Sequence, residues 1–247
     1  MTVRHLGVFS VLLVSFVSIS AVFAQAPGPT SIYSGNFGGG LAVTNGNTNT
    51  RSFNLSGAIL RDPKTKNVIK GTASYLRGSQ SNILNVDRTA INARDEYSIS
   101  NRTYTFGQLD YVRDQFKEMI FFWAPTAGLG YKLINTDRTQ LTVDGGAGGV
   151  LEKNPGIPSK KSGSVTAGHH FQRKISSTAA VTEGLSSIWK TQDFGDSLTN
   201  FSAGLTTAVS GKLQLKLEFV DSYKNKPPII SIKKNDTAFV TTFAMKF

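Results

Sequence analysis

His169-His170 is the one adjacent histidine pair in this 247-residue chain. An imidazole beside a serine hydroxyl can take its proton, so on a membrane-embedded wall such a pair would suit a lipid hydrolase attacking a phospholipid ester. Spacing identifies no serine or asparagine partner for it, and no G-x-S-x-G is present. His169 shares the outward phase of Val165, Ala167 and Phe171, whereas His170 points the other way. Anchoring at an interface is the simpler role for His169. Gly145-Gly146-Ala147-Gly148-Gly149 superficially resembles a phosphate-cradling loop, but it lacks the Lys-Ser/Thr ending and a following helix. Glycine inside a strand more often marks a bend or close backbone approach, and Gly38 to Gly40 read the same way. Cysteine is absent, which excludes disulfides and thiolate metal sites. No catalytic, cofactor-binding or metal-binding residue is assigned, and no cofactor is implied.

Nearly everything else in the sequence is strand. In the last dozen residues Phe239, Thr241, Phe243, Met245 and Phe247 share one side, and Val240, Thr242, Ala244 and Lys246 the other. Leu213, Leu215, Leu217 and Phe219 alternate with Gln214, Lys216 and Glu218. From residue 32 onward about twelve such extended segments follow one another. One breaks the pattern: between Tyr104 and Val112 the aromatic phase of Tyr104 and Phe106 disagrees with that of Leu109 and Tyr111. A bulge is one explanation. Short turns, as at Ser100-Asn101-Arg102 and Asn135-Thr136-Asp137, alternate with longer polar stretches around Gly78, Arg113, Lys153, Thr191 and Lys224. That is the loop asymmetry of a transmembrane barrel, with short periplasmic turns and long outer loops.

A periplasmic β-sandwich that binds a ligand would also alternate. Strand length separates the two, since barrel strands need about nine to eleven residues and soluble strands usually run about five or six. Several segments here reach ten or more. Aromatic residues recur near segment ends (Tyr33, Tyr75, Tyr97, Trp123, Tyr131, Trp189, Tyr223), as an interfacial girdle requires. The fold expected is all-β: a single antiparallel transmembrane barrel of about twelve strands over residues 32–247.

Residues 1–24 read as a cleaved export signal: Arg4 and His5, an apolar run from Leu6 to Phe23, then Val22-Phe23-Ala24 before Gln25. Residues 25–31 form a short flexible lead. The expected location is therefore the outer membrane, reached by export. The formal charge of +11 is dispersed, which together with export argues against nucleic acid as a partner. Lysines in the stretches assigned to outer loops, namely Lys117, Lys153, Lys160, Lys161, Lys190, Lys224, Lys226, Lys233 and Lys234, would suit lipopolysaccharide phosphates. On the phase assigned to the lumen lie Lys70, Arg94, Lys132, Lys216 and Lys246 against Glu96, Asp110, Asp144 and Glu218. Mixed signs point to pairing across the lumen, not to a selective ring of one sign. About twelve strands is a size between filled and open barrels, so a narrow pore and a plugged barrel both fit.

The stretch Gly40-Leu41-Ala42-Val43-Thr44-Asn45-Gly46-Asn47-Thr48-Asn49-Thr50 resembles the G-x-x-x-T-x-GNT-x-T opening of the salt-induced outer-membrane protein family, a domain-of-unknown-function family. Arg102-x-Tyr104, Tyr111-x-x-Asp114-x-Phe116, Gly128-Leu129-Gly130-Tyr131 and Lys234-x-Asp236-Thr237 follow in the same order. The resemblance implies an outer-membrane barrel of uncharacterised activity, serving envelope integrity under stress or passive permeation, and brings no catalytic residue with it. It also implies that Phe247, with Phe243 and Met245, is read by the barrel-assembly machinery. Outer-membrane lipids and, in transit, periplasmic chaperones complete the expected partners. A barrel-wall lipid-modifying enzyme is the alternative.

Overall fold

The computed structural model describes residues 31–44, 50–80, 82–115, 118–227 and 234–247, so the expected export signal and most of the expected lead lie outside the described residues. Among these residues there are twelve strands: β1 Tyr33–Thr44, β2 Thr50–Arg61, β3 Asn67–Gln80, β4 Ile83–Ser98, β5 Thr103–Asp114, β6 Met119–Asn135, β7 Thr139–Lys153, β8 Lys160–Lys174, β9 Ala179–Lys190, β10 Asp193–Ala208, β11 Leu213–Lys224 and β12 Asn235–Lys246. Each pairs antiparallel with its sequence neighbours, and β1 with β12 closes the cylinder. The fold expected from the sequence is the fold observed, and the closed barrel removes the sandwich alternative.

Alternation decides which face each residue takes. In β6, Phe122, Ala124 and Thr126 are buried within the barrel while Trp123, Pro125, Ala127 and Leu129 are exposed outside. This inversion of a soluble fold, with apolar rings on the exterior and Ser, Thr, Asn and Gln within, is what a hydrocarbon surrounding requires of a barrel wall. The termini and the turns after β2, β4, β6, β8 and β10 share one end of the cylinder, here the near end; the other is the far end.

Two local expectations are corrected. The polar stretches around Gly78, Arg113 and Thr191 are not long loops. β3 runs on to Gln80 and β4 already begins at Ile83, with Asn82 at a left-handed φ of 64°. β5 runs to Asp114 and β6 already begins at Met119, with Glu118 at φ 52°, and β9 and β10 are separated only by residues 191–192. Polar composition there reflects strands of 14 to 17 residues that outrun the roughly 9–11 needed to cross a membrane. Nor does the broken phase of β5 mark a bulge at its middle. β4 and β5 pair without a break from Arg88↔Asp114 to Ser98↔Tyr104. Tyr104 and Phe106 face inward, 3% and 4% exposed; the irregularity in β5 lies further on, between Val112 and Asp114.

The closing seam is unlike the other pairings. β1 matches β2 along its full length, Tyr33↔Arg61 to Thr44↔Thr50. Against β12 its register runs only from Asn36↔Lys246 to Gly39↔Phe243. One further pair extends the ladder toward the near end, where Gly35 and Phe247 exchange backbone hydrogen bonds of 3.1 Å each way. The Phe247 ring lies over Gly35, in space a β-carbon would take.

Candidate functional site

The barrel interior is layered. At the near end Arg94 (β4) organises a charged layer. Its register partners are Lys70 on β3 and Gln108 on β5. Its guanidinium donates through Nε to Glu96 Oε1 at 2.8 Å, through Nη1 to Gln108 Oε1 at 2.7 Å, and through Nη2 to Asp144 Oδ2 at 2.7 Å. Three acceptors on one planar fork leave it little orientational freedom. Its flat face lies 3.8 Å from the Phe106 ring centroid and 5.9 Å from that of Tyr104, within cation–π range. Lys70 shares Glu96 from the other side at 2.8 Å.

Asp144 stands on β7, with β5 and β6 between it and β4. Tyr104 is opposite Gly130, and Gly130 opposite Asp144. The Tyr104 ring fills the space a β-carbon on Gly130 would need, and its hydroxyl donates to Asp144 Oδ2 at 3.4 Å. Phe106 is likewise opposite Gly128, and Gly128 opposite Gly146. Glycines in register beside aromatics let rings lie flat along the wall and an arginine span it. Gly128-x-Gly130 in phase with Tyr104-x-Phe106 is a signal that sequence alone could have yielded. Gly146 and Gly148 also abut the carbonyls of Ala127 and Pro125, the close approach expected of that glycine run.

Deeper in, the buried carboxylate of Asp110 accepts from Asn92 Nδ2 at 2.6 Å and from Gln108 Nε2 at 2.7 Å. Gln108 thus links Asp110 to Arg94. Toward the far end the layer turns apolar: Ala90, Val112, Met119, Phe122, Ala124, Val150 and Leu198 cluster, with Ile188 against them. Above them sits a second charged group. Lys190 Nζ lies 2.8 Å from Glu152 and 2.6 Å from Asp196, and Lys224 Nζ 2.9 Å from Asp196 and 3.7 Å from Glu152. Lys190 and Lys224 are therefore not loop cations: both are largely buried inside the wall, since their strands continue the inward phase of Ile188 and Ser222. Lys117 and Lys233 lie outside the described residues. Lys226 pairs with Asp193 at the surface.

Of the remaining charges assigned to the lumen phase, Lys216 pairs with Glu218 at 3.0 Å, while Lys132 and Lys246 are half-buried near the terminal end. The wall of β8 to β12, with β1 and β2, carries small polar or side-chain-free positions inward, including Gly38, Ser164, Thr182, Asn200, Ser202 and Thr206. Ser164 Oγ and Gln214 Nε2 are buried there without a protein partner, as is Thr126 Oγ1 on β6. Lumen water is the partner that such groups call for. Phe243, Met245 and Phe247 are all exposed on the exterior beside the seam. His169 sits outside and meets Glu183 at 3.1 Å; no serine hydroxyl among the described residues hydrogen-bonds to it, and Ser187 is held by Thr199 at 2.9 Å.

The family model described as "Protein of unknown function, DUF481" matches residues 38–247. No curated protein matches the chain. Among solved structures, an outer membrane channel from Pseudomonas putida F1 aligns with TM-score 0.52 and 11% identity, covering 87% of this chain and 94% of that one. The NanC porin aligns with TM-score 0.49 and 8% identity over 86% and 97%. The translocator domain of the autotransporter NalP from Neisseria meningitidis gives 0.48 and 12% over 87% and 86%. At such identities the likeness to the Pseudomonas channel shows a shared barrel fold.

Proposed function

This chain belongs to the DUF481 family, and we propose that it is a non-enzymatic outer-membrane conduit, a narrow and weakly selective pore for small polar solutes. The observation that carries this reading is the uneven lining of the lumen: bulky paired groups crowd β4 to β7, while the wall of β8 to β12 carries many small polar residues beside the Lys216–Glu218 pair, with Ser164 Oγ and Gln214 Nε2 buried and unpartnered on it. Such a lining favours a hydrated path along the small-residue wall, and paired charges of both signs favour weak selectivity. The channel fold among its structural neighbours is consistent with this role. Export by the leader, with the near end in the periplasm, fits it too. The resemblance to salt-induced proteins supplies the setting, a cell adjusting its envelope to salt. Purified barrel in planar bilayers should give small, ohmic steps; a bilayer no leakier than lipid alone would refute the pore.

At the far end Lys160 and Lys161 are exposed, and Lys153 Nζ donates to the Ile157 carbonyl at 2.7 Å. In this orientation they would meet lipopolysaccharide phosphates as point charges. Reversing Lys160 and Lys161 to Glu should make cells more permeable to hydrophobic dyes without lowering the amount of folded barrel. Unchanged dye entry would remove that partner.

A further inference from the structure

Basic residues stand in opposed pairs on the near rim of the barrel. The backbone N–H of Lys132 donates to the Arg102 carbonyl at 2.8 Å, that of Lys174 to Arg138 at 2.9 Å, and that of Lys246 to Lys212 at 2.8 Å. Each bond carries a ladder one step past its last strand pair, Thr103↔Tyr131, Thr139↔Arg173 and Leu213↔Met245 respectively. Arg102 therefore faces Lys132, Arg138 faces Lys174 and Lys212 faces Lys246. All three pairs fall on the inward phase. Lys132 continues that of Thr126 on β6, Lys174 is opposite the buried Ala180, and Lys246 follows the buried Ala244. Facing β-carbons stand about 5 Å apart, and like charges placed directly opposite are destabilising. Three such pairs around one mouth call for a counter-charge.

A fourth pair, deeper in, shows what opposed cations take in this barrel. Lys70 and Arg94 are register partners, and Glu96 joins both, at 2.8 Å from each, with Asp144 on the guanidinium as well. At the rim no carboxylate fills that place. Among the described residues Arg102, Lys132, Arg138, Lys174 and Lys212 form no side-chain ion pair. Of the acids in the near turns, Asp62 is taken by Lys64 at 2.7 Å and reaches Lys132 only by longer-range attraction. Asp137 is exposed in the same turn as Arg138. Residues 1–30, the remaining part of the chain at this end, contain no Asp or Glu. Arg138 Nε does donate to the Lys174 carbonyl at 3.3 Å, which keeps the guanidinium beside its partner lysine.

Each pair joins a half-buried lysine on a strand end to an exposed cation on a turn. A guanidinium offers parallel N–H donors and an ammonium a point charge, a combination suited to phosphate or carboxylate oxygens. We propose that the near mouth of the barrel is a binding site for small multivalent anions, phosphate- or carboxylate-bearing solutes that bridge an opposed basic pair as Glu96 bridges Lys70 and Arg94. Binding at the mouth is independent of whether the lumen conducts.

The test is equilibrium binding of pyranine, a small dye with several sulfonates, to the folded full-length barrel in neutral-detergent micelles, read by fluorescence anisotropy at fixed ionic strength. The rim variant Arg102→Gln/Arg138→Gln/Lys212→Gln should bind at least ten-fold more weakly than wild type. Arg77→Gln/Lys226→Gln/Lys234→Gln removes as much charge from exposed far-end positions and should bind as wild type does. Equal weakening of both variants would overturn the proposal, because net charge alone would then hold the dye. Absence of binding to wild type would overturn it as well. Inorganic pyrophosphate should displace the dye at far lower concentration than chloride. Displacement by phosphatidylglycerol doped into the micelles, but not by pyrophosphate, would make the rim a seat for lipid headgroups and overturn the soluble ligand. If the rim variant fails to fold, judged by heat-modifiable gel mobility, Lys132→Gln/Lys174→Gln/Lys246→Gln tests the same pairs from their other members.

Discussion

The two charged layers of the lumen solve the same problem differently. At the near end one arginine serves Glu96, Gln108 and Asp144 while stacked on Phe106, and Lys70 assists from a half-exposed position. Counting the buried Asp110, three carboxyl groups stand beside two basic ones there. At the far end two lysines and two acids interlock, Glu152 and Lys224 being 4% and 9% exposed at their side chains. That group is neutral and sits on an apolar layer. The first arrangement stays partly open to solvent; the second ties β7, β9, β10 and β11 together. Burial, more than the presence of ion pairs, separates the two layers.

Removing a member of the far group should have the largest effect on stability. Glu152→Ala leaves Lys190 and Lys224 sharing Asp196, and an uncompensated buried charge costs about 3–5 kcal/mol. The midpoint of urea unfolding in micelles should fall accordingly. The double variant Glu152→Leu/Lys190→Met retains the Lys224–Asp196 pair and should recover most of the loss; failure to recover would mean the group does more than neutralise itself. Arg94→Ala should cost less, about 1–3 kcal/mol from the carboxylates it leaves short of partners, but should change conduction more. With the cation gone the layer becomes more acidic, so the reversal potential in a KCl gradient should move toward cation preference, with larger steps. Arg94→Lys should restore much of the selectivity but not the step size, because an ammonium does not reproduce the three-way fork. The smallest effect belongs to Asp193→Asn, which breaks the exposed pair with Lys226. Neither the unfolding midpoint nor the conductance should move measurably; a clear shift would erase the distinction between buried and surface pairs drawn here.

Much of the barrel was legible because membrane strands leave a strong period. β12 and β11 can be read residue by residue, and the count of twelve follows from repeating that reading. Strand ends were harder. Hairpins that outrun the membrane lose the apolar half of the alternation, so β3, β4 and β10 looked like loops at their far ends, and Lys190 and Lys224 with them. β5 misled for the opposite reason: its inward side is aromatic, and a ring inside a membrane barrel breaks the rule that apolar faces point out. The departure marked the layer around Arg94.

By itself, the sequence determined the phase of every strand but β5, and so which residues are candidates for the lumen: Lys70, Arg94, Glu96, Asp110, Lys132, Asp144, Lys216, Glu218 and Lys246 can be named from alternation. Which of these meet was decided only by the tertiary structure. Strands far apart in the chain are brought together by register and closure, and a shift of one residue in any pairing would move every contact. Arg94 reaches Asp144 across β5 and β6 because Gly128 and Gly130 on β6 leave the wall low enough to cross.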